Sequence, residues 1–428
     1  MEAITVRELL EAVNGTLLGS YADLDRTVDR VDTDSRSVHE GALFIPLVGE
    51  RFDGHAYINS ALEGGAAGCF TARERTSYQE GKFYIKVGNT QRALRDLAAW
   101  YKNRFQIPFV GVTGSVGKTT AKDMIAAVLS VKYKVLKTEG NFNNNIGLPL
   151  TLLRLNRSHQ VAVLEMGMDK PGEIDYLGEI VQPEVGVITN IGDAHIEKLG
   201  SRENIFKAKC ELLPHIRQEN GLLVLNGDDD MLSTLRGNTP VNTVFCGKGE
   251  GLDYRAQVTG GDGVSHIHCR VTTPKMDREL MIPALGEHMV YPTLIAAAVG
   301  EHFGLTPEEI EEGVARFVPT RMRMNLLQRA EEITILDDTY NANPQSMRAA
   351  ISVLADSRCS WRVAVLGDMF ELGPFGPRPP RRGWASTWAS GASTAWWPWA
   401  RWPSTSPRAP GRRACPRCTT APTRRPPV

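Results

Sequence analysis

Apolar residues along this chain follow two alternating patterns. Short runs rich in β-branched residues, such as 107–112, 161–165 and 185–190, are typical of strands buried on both faces of a parallel sheet. Between and after them, segments 121–131 and 202–213 place apolar side chains at helical spacing. Strands that alternate with helices indicate a parallel sheet. The pattern therefore predicts an α/β fold.

Changes in this pattern divide the chain into four parts. Residues 1–86 alternate strand-like and helical segments, and the last strand of this part is expected at 83–87. We expect 87–318 to form a central domain and 319–376 to begin a third domain that is incomplete. Residues 377–428 form a tail of different character. A length of 428 residues agrees with two or three domains, each with its own core.

The tail lacks the residues that build a core. From Pro377 onward it contains no Asp, Glu, Lys, Leu, Ile, Phe or Tyr, and it has no hydrophobic period of a strand or a helix. We predict that it forms no alternating strands and helices and is disordered. One alternative is a tryptophan-bearing segment that stacks on single-stranded nucleic acid or lies at a membrane interface. Another is an out-of-frame translation beginning near Gly376, which the reading frames of the coding DNA would reveal.

An incomplete third domain has a physical consequence. Its first strands, expected at 333–336 and 362–366, would lack the later layers that cover such a sheet. We therefore expect exposed apolar side chains on these strands, and such surfaces promote aggregation.

Composition and charge exclude several classes of protein. Lys plus Arg and Asp plus Glu both number 49, so no net charge points to a nucleic-acid or anionic-membrane partner. No apolar run approaches the roughly 18 residues of a membrane span, and the charged start at 1–10 is not typical of a signal peptide. The seven cysteines show no metal-ligand or secretory spacing. We expect a cytoplasmic protein, without membrane insertion or nucleic acid, and a monomer, although the sequence leaves the oligomeric state open.

A phosphate-binding loop lies between the strand at 107–112 and the helix at 121–131. Glycines let the backbone approach a phosphate, the following helix offers unpaired N–H groups, and Lys118 carries the charge that neutralises the outer phosphates. Val112 stands where the strict motif has its first glycine. The predicted ATP-binding residues of this loop are Gly114, Ser115, Gly117, Lys118, Thr119 and Thr120.

Polar residues follow the next two strands. Glu165 ends one strand and His195 follows the other. The carboxyl ends of strands in an open α/β sheet face the crevice where ligands bind, and a carboxylate there suits Mg²⁺. Lys209, in the helix after them, would by default be a solvated lysine. If it faced the metal pocket, its amine could take up CO₂ and act as a carboxylate-like carbamate.

Two loops are ambiguous from the residues alone. Asn141, Asn144 and Asn145 fall in an asparagine-rich segment that suits contacts to a polar ligand, or else an ordinary turn. Ser35 and Arg36, just before a buried strand predicted at 41–47, could bind a diphosphate or a carboxylate. A turn with a surface ion pair explains those two residues equally well.

Taken together, these motifs resemble the Mur ligases, which are ATP-dependent amide ligases of peptidoglycan synthesis. The similarity rests on T-G-S-x-G-K-T-T from 113, G-N-x-N-N-x-I-G-L-P-L-T-L-L from 140, L-E-M-G from 164, N-I-G-x-A-H from 190 and A-K-x-E-L from 208. It implies a UDP-sugar-binding domain, a parallel-sheet ATPase domain and a Rossmann-like domain. Segments 337–347 and 366–373 resemble the branch that adds D-alanyl-D-alanine to UDP-N-acetylmuramoyl-tripeptide. These segments leave open whether the third residue of the tripeptide substrate is lysine or diaminopimelate.

The resemblance also implies residue roles. Thr119, Glu165, His195 and a carbamylated Lys209 would hold two Mg²⁺ ions. Lys118, Lys209, His195 and Arg323 would serve the catalytic centre, where ATP activates the tripeptide carboxylate as an acyl phosphate. In the family, an arginine and an aspartate close over the nucleotide. Arg323 fits the arginine role better than its rival Arg321, because of its distance from the Asp pair. The nucleotide and substrate residues implied elsewhere are Asn141, Asn144, Asn145, His288, Arg323, Asp338, Ser35, Arg36, Tyr340, Asn341 and Asn343.

The sequence departs from the family pattern at the expected adenine contact. His288 is kept, but Met289 and Pro292 replace asparagines. Proline removes a side-chain amide and a backbone N–H, so we expect a weakened or rearranged adenine contact. We do not expect the adenine site to be lost. The incomplete third domain, however, leaves two functions open. They are an active ligase and a catalytically impaired protein that still binds nucleotide and UDP-sugar.

Overall fold

The structure is a computed structural model that describes residues 1–330, 333–367, 369–372 and 394–398. Its helices are α1 Val6–Val13, α2 Ile58–Glu63, α3 Thr90–Lys102, α4 Lys118–Leu129, α5 Gly147–Leu152, α6 Glu173–Val181, α7 Ile196–Leu199, α8 Arg202–Cys210, α9 Val290–His302, α10 Pro307–Ala315 and α11 Pro344–Asp356. Its strands are β1 Ile4–Thr5, β2 Thr16–Leu18, β3 Thr27–Val28, β4 Val31–Asp32, β5 Leu43–Phe44, β6 Gly68–Thr71, β7 Phe83–Lys86, β8 Phe109–Thr113, β9 Val135–Lys137, β10 Val161–Glu165, β11 Val185–Ile188, β12 Leu222–Asn226, β13 Asn242–Gly247, β14 Tyr254–Gly261, β15 Ile267–Thr272, β16 Asp277–Ile282, β17 Asn325–Ala330, β18 Ile333–Asp337, β19 Arg362–Leu366 and β20 Thr394–Pro398.

The N-terminal part forms a five-stranded mixed sheet. Its strand order is β2-β7-β6-β5-β4, with only the β2–β7 pair antiparallel. The predicted strand at 83–87 is confirmed as β7. The predicted strand at 41–47 is much shorter and consists of Leu43 and Phe44 only. None of the helices in the described residues is long and apolar enough to span a bilayer.

A nine-stranded sheet organises the middle of the chain, in the order β9-β10-β8-β11-β12-β13-β14-β15-β16. The pairings from β9 to β14 are parallel, and β14, β15 and β16 are antiparallel. Helices α4 and α9 cover one face, because their apolar residues pack with the valines of β8, β10 and β11. The predicted helix at 121–131 is α4, and the one at 202–213 is α8 followed by a short 3₁₀ turn.

The register of this sheet brings three strand ends together. Glu165 of β10 is opposite Val112 of β8, and Ile188 of β11 is opposite Thr113. The segments after β8, β10 and β11 therefore leave the sheet at the same edge. In open parallel sheets this edge holds the ligand crevice.

The third part consists of separate pieces. Strands β17 and β18 form an antiparallel pair, and β19 pairs in parallel with β20 in the tail. The expectation that the tail forms no strands is therefore wrong for the five residues of β20. The rest of 377–428, and the prediction made for it, lies outside the described residues. On β19 the side chains of Val363 and Val365 are 51% and 67% exposed, which confirms the apolar exposure expected there.

Candidate active site

The phosphate loop between β8 and α4 is fixed by the end of β11. The N–H of Ser115 donates to the carbonyl oxygen of Asn190 at 3.0 Å, and the N–H of Val116 donates to Oδ1 of the same asparagine at 2.9 Å. Gly114 has φ +145°, and a Cβ there would lie 1.9 Å from Oγ1 of Thr189. The close approach of the loop to β11 thus requires glycine at this position. Asn190 was not among the predicted site residues.

Lys118 opens α4 and turns back over the loop. Its Nζ donates to the carbonyl oxygens of Gly114 at 3.0 Å and Ser115 at 3.3 Å. Burial lowers the pKa of Lys118, and the nearby Glu165 carboxylate acts in the opposite direction. Bound phosphates would attract this amine more strongly than neutral carbonyl groups do, since the interaction is then between opposite charges.

Glu165 is a buried carboxylate with one satisfied oxygen. The side-chain amide of Asn143 donates to Oε1 at 2.9 Å, whereas Oε2 is buried and has no hydrogen-bond partner. A buried, unpaired carboxylate oxygen is unfavourable unless a cation reaches it. This oxygen therefore fits a hard divalent ion such as Mg²⁺. The predicted site residues do not include Asn143, although it belongs to the same asparagine-rich segment as Asn141, Asn144 and Asn145.

Lys209, in α8, is only 2% exposed. Burial, helped by the positive charge of Lys118, lowers the pKa of Lys209 well below its ordinary value. An amine in this state is largely neutral at pH values where exposed lysines are charged. This environment meets the first requirement for a reaction with CO₂, which only the neutral amine undergoes.

His195 immediately precedes α7 and has the left-handed backbone angle φ +64°. Its Nδ1 lies 3.2 Å from Oδ1 of Asp169 and 2.5 Å from Oε2 of Glu371. Burial lowers the pKa of His195, and these two carboxylates oppose the shift. Neither acid was identified from the sequence as a site residue.

A cavity of about 740 Å³ joins the central sheet to the third part. Most of the predicted residues line it, and these are Ser115, Gly117, Lys118, Thr119, Thr120, Asn144, Glu165, His195, His288, Arg323, Asp338, Tyr340, Asn341 and Asn343. The predicted residues that are not part of its lining are Gly114, Asn141, Asn145, Lys209, Ser35 and Arg36.

The third part contributes a cation above an aromatic ring. The guanidinium of Arg323 lies 4.0 Å from the ring centroid of Tyr340, within the range of a cation–π contact. Arg321 is exposed and does not line the cavity. Asp338 accepts from the N–H of Met324 at 3.2 Å, and burial raises the pKa of its carboxyl. Of the two candidate arginines, the geometry places Arg323 at the cavity.

The two ambiguous loops have different outcomes. Oδ1 of Asn144 accepts from the N–H groups of Ile146 and Gly147, so this cavity residue also stabilises a local turn. Arg36 forms an exposed ion pair with Asp34, with Nη2 and Oδ2 2.7 Å apart. In this structure Arg36 therefore corresponds to the surface-turn interpretation.

Pro292 lies in the first turn of α9. Backbone N–H groups in a first turn have no acceptor within their helix, so proline removes little there. The expected loss therefore concerns the side-chain amide and not the backbone. Next to it, Tyr291 donates its hydroxyl to Oδ2 of Asp228 at 3.0 Å on the cavity wall. This contact was not expected from the sequence.

Comparisons with known proteins agree with this geometry. Family models described as the Mur ligase family catalytic domain, the Mur ligase middle domain and the Mur ligase glutamate ligase domain match residues 27–102, 112–300 and 322–396. A UDP-N-acetylmuramoyl-tripeptide–D-alanyl-D-alanine ligase of Bacillus subtilis (strain 168) is 41% identical over 372 residues, which cover 86% of this chain and 79% of the relative. The chain belongs to the Mur ligase family.

Solved structures extend this Mur ligase assignment to the whole architecture. MurF from Acinetobacter baumannii superposes with a TM-score of 0.80 at 34% identity, covering 87% of this chain and 81% of that one. MurF ligase from Thermotoga maritima, in complex with ADP, superposes with a TM-score of 0.72 at 32% identity. This match covers 80% of this chain and 78% of that one. The expected three-domain Mur ligase fold is thus confirmed. The match to the third family model continues to residue 396, past the last motif.

Proposed function

We propose that this Mur ligase uses ATP to join D-alanyl-D-alanine to UDP-N-acetylmuramoyl-tripeptide. The main structural support is the cavity, because it brings Lys118 and Glu165 of the central domain together with Arg323 and Asp338 of the third domain. The names of the relatives from Bacillus subtilis and Escherichia coli (strain K12) support the same substrates. We place the activity in the cytoplasm, since it consumes ATP and a nucleotide sugar, and we expect a monomer.

The chemistry requires an activated carboxyl group. The terminal carboxylate of the tripeptide attacks the γ-phosphorus of ATP, and an acyl phosphate and ADP form. The amine of the dipeptide then attacks the acyl carbon, the amide bond forms and phosphate leaves. Both steps bring negative charges together, so Lys118 and Arg323 would act by positioning and electrostatic stabilisation. Closure of the domains over the cavity would exclude water from the acyl phosphate.

The residues around Glu165 would hold the metal. We assign Thr119, Glu165, His195 and carbamylated Lys209 to Mg²⁺ binding, and the unpartnered Oε2 of Glu165 supports this set. Bound Mg²⁺ would neutralise charge on the phosphates and the acyl group.

We propose that the substrates contact the protein at two further places. Asp338, Tyr340, Asn341 and Asn343 line the cavity and would contact the nucleotide or the dipeptide. Ser35 and Arg36 would bind the UDP-sugar if Arg36 exchanged its partner Asp34 for the diphosphate. We also propose the domain limits 1–86, 87–318 and 319–376.

Carbamylation of Lys209 gives a testable pH dependence. Because burial lowers the pKa of this amine, its reactive neutral form persists to lower pH than that of an exposed lysine, and it disappears as acid protonates it. In ¹³C-bicarbonate at pH 8, NMR is expected to show a carbamate resonance that weakens on acidification. The Lys209→Met chain should lack the resonance, and the Lys207→Met chain, altered at an exposed lysine of the same helix, should keep it. A resonance that survives Lys209→Met would contradict the assignment.

ADP release tests the proposed function. The full chain is incubated with Mg²⁺, ATP and UDP-N-acetylmuramoyl-tripeptide, with and without D-alanyl-D-alanine. Dipeptide-dependent ADP release together with an amide product of the expected mass is the predicted result. Nucleotide binding without turnover would instead support the catalytically impaired protein. The exposed valines of β19 are the observation that favours this second function, because they indicate an incomplete third domain. Turnover with a different amino acid or peptide would assign the chain to another amide ligase.

A further inference from the structure

The third domain touches the central domain close to His195. The segment 369–372 lies beside α7, the short helix that begins directly after this histidine, since Glu371 contacts Glu197 and Lys198. Leu372 is 6% exposed and belongs to the same buried cluster as Ile196 and Leu199. The N–H of Glu197 also donates to the carbonyl oxygen of Glu371 at 3.2 Å. The backbone hydrogen bond thus holds this segment beside His195.

The side chain of Glu371 completes a charged cluster around the imidazole. Its Oε2 is 2.5 Å from Nδ1 of His195, and Oδ1 of Asp169 is 3.2 Å from the same nitrogen. Lys198 lies between the two acids, with Nζ 2.8 Å from Oδ2 of Asp169 and 3.5 Å from Oε1 of Glu371. This lysine offsets the repulsion of two carboxylates held so close together.

The backbone at both ends of the His195–Glu371 contact is unusual. Glu371 has φ +63° and His195 has φ +64°, a region that residues other than glycine seldom occupy. Such conformations persist where the surroundings determine them, and they concentrate at functional sites. Nδ1 itself is buried, and neither carboxylate oxygen is yet aligned with it as a hydrogen-bond acceptor.

Imidazole chemistry makes this arrangement meaningful. A neutral histidine has its proton on one ring nitrogen and its lone pair on the other. A histidine that binds a metal through Nε2 must carry the proton on Nδ1, and a carboxylate that accepts this proton fixes the ring and raises the basicity of the ligand. Two carboxylates flank Nδ1 here, one from each domain.

We propose that Glu371 is a positioning residue for the metal site. It accepts the Nδ1 proton of His195, together with Asp169, and so directs Nε2 to the cation. Because Glu371 belongs to the third domain, docking of that domain and cation binding favour each other to the same extent. The proposal rests on the metal role of His195 in the proposed function.

The affinity for Mn²⁺, measured by electron paramagnetic resonance with a non-hydrolysable ATP analogue, tests the proposal. Glu371→Ala is expected to weaken Mn²⁺ binding about tenfold or more, the usual effect of losing such a partner. Glu197→Ala is the matched control, because it removes an exposed carboxylate of α7 and should leave the affinity unchanged. Glu371→Gln keeps an acceptor oxygen but loses the charge, so its affinity should lie between those of the parent and Glu371→Ala.

A second measurement is made on the parent chain and does not depend on how the Glu371 variants fold. In the parent chain, ¹⁵N NMR of the His195 ring, assigned by comparison with His195→Gln, is expected to show the Nδ1-protonated form. The Nε2-protonated form, or Mn²⁺ affinity unchanged by Glu371→Ala, would overturn the role of Glu371 alone. If the parent chain bound no Mn²⁺ at all, the metal site of the proposed function would be wrong as well.

Discussion

Replacing Lys118 with alanine is expected to reduce amide formation at least a hundredfold. The amine is the one cation in the phosphate-loop sequence 113–120, and its Nζ donates to the carbonyl oxygens of Gly114 and Ser115. Its removal leaves charge that develops on the transferred phosphate without this preorganised partner, a loss on the order of 10²–10³ in rate. Steady-state release of ADP, measured with saturating dipeptide, gives kcat and KM for both chains.

Lys207→Ala is the matched control for the loss of a lysine. Lys207 is exposed on α8 and does not line the cavity, so its rate should equal that of the parent chain. The thermal unfolding midpoint of Lys118→Ala should not fall below that of the parent, since burial already disfavours the charged amine there. A rate for Lys118→Ala within a factor of three of the parent would exclude a role for this amine in phosphoryl transfer.

A methyl group at Gly114 is expected to abolish nucleotide binding and to destabilise the central domain. The added Cβ would lie 1.9 Å from Oγ1 of Thr189 and 3.0 Å from its backbone nitrogen, so rotating the threonine does not relieve the clash. The loop or β11 must move. Overpacking of this kind costs about 1–3 kcal/mol, and the displaced loop loses its contacts with Asn190. Calorimetric titration with Mg²⁺ and an ATP analogue, together with urea unfolding, measures both effects.

Two further glycines separate the clash from backbone strain. At Gly117, φ is +81° and an added Cβ meets no atom within 4 Å, so Gly117→Ala carries only the left-handed penalty of about 1–2 kcal/mol. At Gly88 the space is also open and φ is ordinary, so Gly88→Ala should be neutral. If Gly114→Ala bound nucleotide as tightly as Gly88→Ala, the close packing of the loop on β11 would be irrelevant to the site.

The sequence was sufficient to predict those elements and site residues whose signals lie in neighbouring residues. The run 161–165 reads as a strand because every residue in it is apolar until the terminal carboxylate, and β10 has these limits. Glu165 and His195 could be placed at one edge of the sheet, since each follows a strand of the same parallel sheet. The phosphate loop could be recognised because glycine, lysine and threonine have separate, position-specific tasks there.

Contacts between distant segments could not be derived in this way. The asparagines at 141, 143, 144 and 145 are equivalent in a local pattern, and only the folded loop shows that Asn143 reaches Glu165. Glu371 meets His195 only after the third domain has docked, and no periodicity records that event. The sequence shows that Pro292 lacks a side-chain amide and a backbone N–H. Only its position in the first turn of α9 shows that the missing N–H matters little.

Strand β8, which leads into the phosphate loop, lies in the sheet between β10 and β11, and both of these strands follow it in the sequence. On the ribosome β8 emerges before β10 and β11 have been synthesised, so a nascent chain that ends before Asn190 has neither flanking strand nor the groups that bind the loop. Parallel pairing over such sequence distances forms slowly. Competence to hold a nucleotide therefore arises late and cooperatively during translation, and shortened fragments ending before this asparagine should be degraded instead of accumulating as binding domains.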